Sequence, residues 1–192
     1  DFSAPSASSS SLKGRHVAIT GANAGLGFAL ALQLAAQDAV VHLVCRNRER
    51  GERAVAEILR AHPGADARLH VLDVSSAADV RRFVEEEEEA AAAGAAGAAG
   101  AAGAAGAGAG ERRGGLAQLQ VLVNNAGVVP ETLRRTAEGN EVSMATAMGG
   151  SFLLTSLLLP TLKKNRPSRV VNMSSGGMYT CKLDPSNLNC EK

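Results

Sequence analysis

A chain of 192 residues, 45% hydrophobic and 20% charged with a formal net charge of +1, is long enough for one domain with a sizeable core. That balance fits a soluble globular protein and excludes both a strongly basic nucleic-acid binder and a surface built for acidic membranes. Cys45, Cys181 and Cys190 lack metal-type spacing, and His16, His42, His62 and His70 are dispersed. Reduced thiols, core or strand-end histidines and no metal site are therefore expected, in an intracellular, cytoplasmic setting.

The segment Asp1 to Ser11 has no charged start followed by an apolar run, so residues 1–13 read as a flexible lead-in rather than a signal peptide or membrane anchor. Apolar periodicity then predicts a strand near 16–20, a helix near 25–37, a strand near 39–45, a helix near 49–61, a strand near 67–73 and a helix from about 77. A fourth strand follows near 119–124, a helix lies within about 140–165, and a fifth strand falls near 169–173. Alternating strands and helices imply right-handed crossovers and a parallel sheet covered on both faces, an α/β fold.

Between Phe83 and Leu119 the composition turns to the run Glu85 to Glu89 and then to an Ala/Gly tract ending near Gly110. Glycine costs about 1 kcal/mol relative to alanine at each helical position, so the insertion at about 85–114 is expected to be disordered or partly helical rather than packed. It holds no Leu, Ile, Phe or Val to drive membrane insertion, and no membrane span is expected. Its expected place is a helix-to-strand loop at the amino edge of the sheet, where added length is tolerated.

The stretch Thr20-Gly21-Ala22-Asn23-Ala24-Gly25-Leu26-Gly27 sits between a predicted strand and a predicted helix. Glycines there permit the sharp turn, admit backbone amides to a pyrophosphate and bring helix close to strand, while the helix start offers free N–H groups and the positive end of its dipole. The context reads as a nucleotide-binding turn.

Three further motifs follow in order: Leu72-Asp73-Val74 after the third strand, Asn124-Asn125-Ala126-Gly127 after the fourth, and Val171-Asn172-Met173-Ser174-Ser175 after the fifth. Together with the glycine spacing they resemble the short-chain dehydrogenase/reductase family. Val41-His42-Leu43-Val44-Cys45-Arg46 and Ser174-Ser175-Gly176-Gly177-Met178, followed by Lys182-Leu183, resemble its retinol-dehydrogenase-like branch. The resemblance implies a Rossmann-like doubly wound parallel sheet of about five strands, C-terminally incomplete, with the cofactor at the reversal between the first and fourth strands.

The same resemblance assigns cofactor contacts to Thr20, Gly21, Asn23, Ala24, Gly25, Leu26 and Gly27, to Asp73 as the adenine acid beside Val74, and to Ala126 and Gly127 beside the adenosine. Asn124 would brace the sheet. A strand-end Asp73 can equally cap the helix after it. The second strand ends in Cys45-Arg46-Asn47-Arg48 with no acid, which favours NADP over NAD, with Arg46 as the cation for a 2′-phosphate.

Family chemistry uses Tyr as acid/base, Lys to lower its pKa, Ser to polarise the substrate oxygen and Asn to support a water relay. Ser175 matches the catalytic serine, with Ser174 as the fallback. Tyr179 is followed by Lys182 rather than by a lysine four residues on, the spacing that puts both on one helix face, and Ala147 stands at the family's Asn position. The resemblance therefore implies the cofactor-binding portion of an oxidoreductase for a small alcohol or carbonyl, lacking the Tyr/Lys pair. A non-catalytic nucleotide-binding relative and an inactive truncated fragment stay open. A homodimer is expected if a full chain continues past Lys192, and the fifth strand would be an exposed edge.

Overall fold

The computed structural model describes residues 12–97, 115–180, 182 and 184–188. Five short apolar runs form the strands: β1 His16–Thr20, β2 Val40–Cys45, β3 Asp66–Val71, β4 Leu119–Asn124 and β5 Arg169–Asn172. They pair in the order β3-β2-β1-β4-β5, all parallel, so the chain reverses direction across the sheet between β1 and β4.

Successive side chains of a strand point to opposite faces, and here each face has its own core. Val17 and Ile19 of β1 join Val41, Leu43 and Val123 beneath α1 Gly25–Ala35 and α2 Arg48–Ala61, whose Ala31, Ala35, Val55 and Ile58 are buried there. Ala18, Val44 and Leu122 face the other way, onto Val80, Phe83 and Val84 of α3 Ala77–Gly97 and onto Leu154, Leu158 and Leu162. The sheet is thus wound on both sides, as the resemblance implies.

Local chemistry sets the helix starts. Asn47 accepts the Arg50 N–H at 2.8 Å and caps α2. For α3 the cap comes from afar: Glu138 accepts from the N–H groups of Ala77 and Ala78, and Ser76 Oγ accepts from Asp79 N. Asp73 does not cap that helix. Its Oδ1 accepts from Ser75 N at 2.9 Å and Ser75 Oγ at 2.7 Å, closing a local turn.

α3 runs on through Glu85 to Glu89 and into the alanines as far as Gly97, so the first part of the expected insertion is helical, the partly helical outcome, and it packs at Glu87. The reason lies in spacing: Val80, Phe83, Val84 and Glu87 recur on one helical face, and Glu87 is only 4% exposed. Residues 98–114 of the insertion and residues 1–11 of the lead-in lie outside the described residues.

The helix expected within 140–165 is one apolar rod of 23 residues from Val142 to Lys164, in which an 18-residue stretch has mean hydropathy 1.6. It comprises α4 Val142–Thr146, a wider π turn over Ala147–Leu154 and α5 Thr155–Lys164. By length and composition it passes for a membrane-crossing helix; here Leu154, Leu158 and Leu162 are buried against the sheet while Phe152 is 64% exposed. β5 is an edge strand, with Val171 and the following Met173 exposed.

Candidate cofactor site

The carboxyl ends of β1 to β4 open into a cleft of about 440 Å³ at the sheet reversal. Gly21, Asn23, Ala24, Gly25 and Leu26 line it from the β1–α1 turn, Arg46, Asn47 and Arg50 from the end of β2 and start of α2, Asp73 and Val74 from beyond β3, and Asn125, Ala126 and Gly127 from beyond β4. The turn owes its shape to glycine: Gly21 and Gly25 have φ of +68° and +56°. A Cβ on Gly27 would sit 2.6 Å from the Gly21 carbonyl oxygen, so only glycine brings α1 this close to β1.

Ala24 begins α1 in extended geometry, no side chain caps that end, and no acid occupies its first turn. The amides and dipole of the helix start are therefore presented to the cleft without a competing side chain. This end, the positive-φ glycines and two arginines suit a dinucleotide's pyrophosphate and ribose.

Thr20, Gly27 and Asn124 are not among the wall residues of the cleft; they are buried behind it. Thr20 ties β1 to the β4 loop. Asn124 Nδ2 donates to Asn172 Oδ1 at 2.7 Å and to Thr155 Oγ1 at 2.9 Å, bracing β4 against β5 and α5. Arg50 and Asn125 line the cleft but were not singled out by the motif reading. Arg50 is hidden in a run of alternating charges, and its place follows from the Asn47 cap, which fixes the first turn of α2 beside the cleft. Gly149 also matters, because a Cβ there would overlap the Val74 carbonyl and push the π turn off the loop that carries Asp73.

Ser175 and Tyr179 are not among the residues that line the cleft. Ser175 Oγ accepts from Gly177 N at 3.1 Å at the start of a 3₁₀ turn, Gly176–Tyr179, and Tyr179 is 84% exposed. Tyr179 and Lys182 do not share a helix. Among the described residues no group of three or more His, Cys, Asp or Glu is arranged to hold a metal ion. Cys45 is a buried core residue whose thiol burial pushes up to about 11; Cys181 and Cys190 lie outside the described residues.

A five-stranded parallel sheet with a glycine-turn cleft at its reversal defines an α/β nucleotide-binding protein of Rossmann type. Residues 15–95 and 102–180 match the family model for short chain dehydrogenases, and the chain belongs to that family. It is 34% identical over 179 residues to dehydrogenase/reductase SDR family member 12 from Bos taurus, covering 93% of this chain and 48% of that protein. It is 35% identical over 184 residues to human retinol dehydrogenase 11, covering 94% and 49%. The chain thus spans about half the length of the curated relatives it matches.

Among solved structures, an uncharacterized protein from Mycobacterium paratuberculosis superposes with a TM-score of 0.68 at 30% identity, covering 94% of this chain and 53% of that one. A metagenomic short-chain oxidoreductase in complex with NADP gives 0.61 at 26% identity, covering 86% and 63%. The retinol-dehydrogenase-like resemblance read from the sequence agrees with these relatives.

Proposed function

We propose that this chain forms the cofactor-binding portion of an NADP-dependent oxidoreductase that moves hydride between the nicotinamide and a small alcohol or carbonyl. The observation that carries the cofactor preference is the pair Arg46 and Arg50 on the cleft wall, with no acid at the end of β2. A cation there favours a 2′-phosphate, whereas a carboxylate would favour free ribose hydroxyls. In this reading the α1 amides hold the pyrophosphate and Asp73, whose Oδ1 is engaged by Ser75, offers Oδ2 to the adenine amino group.

The reading extends to Ser175 as the residue that polarises the substrate oxygen, with Tyr/Lys acid–base chemistry missing from these 192 residues. An intracellular setting fits the buried, reduced Cys45, and a homodimer is the assembly in keeping with the exposed apolar stripe at Met148 and Phe152. A non-catalytic nucleotide-binding relative is the second reading, favoured by Ala147 at the position of the relay asparagine.

Titration with NADPH and with NADH, followed by cofactor fluorescence because the chain has Trp 0, tests the first reading. NADPH is expected to bind more tightly, and Arg46→Ala to weaken it about tenfold, or about 1.4 kcal/mol. Equal or tighter NADH binding overturns the preference. A steady NADPH-linked rate abolished by Ser175→Ala would show that these residues suffice for turnover, against the proposal.

A further inference from the structure

Glu138 stands at the tip of a hairpin that leaves the cofactor cleft and returns to it. Arg135 bridges Glu141 across the hairpin, Val142 N donates to the Arg134 carbonyl at 3.0 Å, and Thr136 N donates to the Asn140 carbonyl at 2.8 Å. Gly139, at φ +84°, turns the tip. The incoming arm follows Gly127 and Val128, which line the cleft, and the outgoing arm opens α4, whose Thr146 lines it too.

From that tip one carboxylate reaches donors 60 to 62 residues back in the chain. Glu138 Oε1 accepts from Ser76 Oγ at 3.3 Å and from Ala78 N at 3.2 Å, and Oε2 accepts from Ala77 N at 3.3 Å. The Ser76 hydroxyl in turn accepts from Asp79 N at 3.2 Å. The amides of Ala78 and Ala77 hold the Glu138 carboxyl below its ordinary value, and the positive end of α3 favours the same charge.

The residues that Glu138 grips are continuous with the cleft wall that carries Asp73. Ser76 N donates to the Asp73 carbonyl at 3.1 Å, Ser75 N and Oγ donate to Asp73 Oδ1, and Val80 N donates to the Ser76 carbonyl at 3.0 Å. The Asp73 turn and the first turn of α3 are thereby one hydrogen-bonded piece. A second tie between the walls is packing alone, where Gly149 of the π turn lies against the Val74 carbonyl. Packing limits how closely the walls approach; hydrogen bonds limit how far they part.

We propose that Glu138 is a positioning residue for the bound dinucleotide: its carboxylate clasps the hairpin to the start of α3 and so fixes the Asp73–Val74 wall of the cleft against the wall that runs from Asn125 to Val128. This rests on the reading of the cleft as a dinucleotide site. The amides of a helix start can be satisfied by a carboxylate from the helix's own first turn or by water. Neither would attach the hairpin, and that attachment is what the remote residue adds.

Glu138 and Ala78 are both exposed, so substitutions there leave the core intact. NADPH titration of the parent, of Glu138→Ala and of the double variant Glu138→Ala/Ala78→Glu, at a temperature well below every thermal midpoint, separates clasp from cap. Ala78→Glu returns a carboxylate to the first turn of α3 without touching the hairpin. Glu138→Ala is expected to bind NADPH about fivefold more weakly and to melt earlier, and the double variant to regain the midpoint but not the affinity. Parent-like affinity in Glu138→Ala, or affinity that returns together with the midpoint, would overturn the proposal. Should the parent bind no dinucleotide, the reading of the cleft fails by itself, and amide hydrogen exchange of the same three chains decides the clasp. The Thr136 and Gly139 amides are expected to exchange faster in both variants, whereas parent-like exchange there overturns it.

Discussion

Thr20 and Asn125 lock the two strands that meet at the sheet reversal. Thr20 Oγ1 accepts from Asn125 N at 3.0 Å and Ala126 N at 2.9 Å, and Asn125 Nδ2 donates back to the Thr20 carbonyl at 2.9 Å. Thr20→Val keeps the side chain's shape but strands two partly buried N–H donors. It is expected to cost about 2 kcal/mol of unfolding free energy, read by denaturant titration, while Thr20→Ser keeps the oxygen and most of the stability. Equal stability of the two variants would refute this role.

Gly27 makes the second close approach of the same turn. A Cβ there meets Asn125 Nδ2 at 2.5 Å and the Gly21 carbonyl oxygen at 2.6 Å, and the latter is backbone with little freedom to move. Gly27→Ala is expected to lose about 1–3 kcal/mol and to bind dinucleotide less well, because α1 must lift from the turn. Gly64 provides the control: a Cβ there meets nothing within 4 Å, and Gly64→Ala should leave dinucleotide binding unchanged.

The glycine turn, the strands and the order of the motifs could be read from the sequence because each rests on neighbours within a few residues. The packed part of α3 could not. A run of five glutamates looks solvated in one dimension, and Glu87 is buried only because His70 and Leu116 reach it from other parts of the chain. The row of buried rings His16, His42 and His70 was hidden for the same reason: its members are 26 and 28 residues apart and meet only through strand register. Arg50 was masked by the charge alternation around it, and Thr20, Gly27 and Asn124 emerged as supports behind the cleft rather than parts of its wall.

Cys45 is expected to stay unmodified in the folded chain. Burial pushes its thiol from 9.0 up to about 11, so at a given pH it holds about a hundredfold less thiolate than an ordinary cysteine, before any steric protection. Alkylation with iodoacetamide, mapped by mass spectrometry, should label Cys45 only after denaturant is added. Labelling at the unfolded rate without denaturant would contradict the buried assignment.

Acid should loosen the fold before its carboxylates respond. His16 and His42 have folded pKa values below the ordinary 6.5, so as pH falls through that value the unfolded chain takes up protons that the folded chain refuses. Stability from these two rings is complete above about pH 6.5 and is lost below it, at up to about 1.4 kcal/mol per pH unit for each ring. Glu138 and Glu141 have values lowered from 4.5 by main-chain N–H donors, which places their loss in stronger acid. Thermal unfolding at about pH 7.5 and about pH 5 should therefore show a lower midpoint in acid, and His42→Gln should flatten that dependence while lowering stability at the higher pH. A parent chain equally stable at both values would show that the rings accept protons in the fold as readily as out of it.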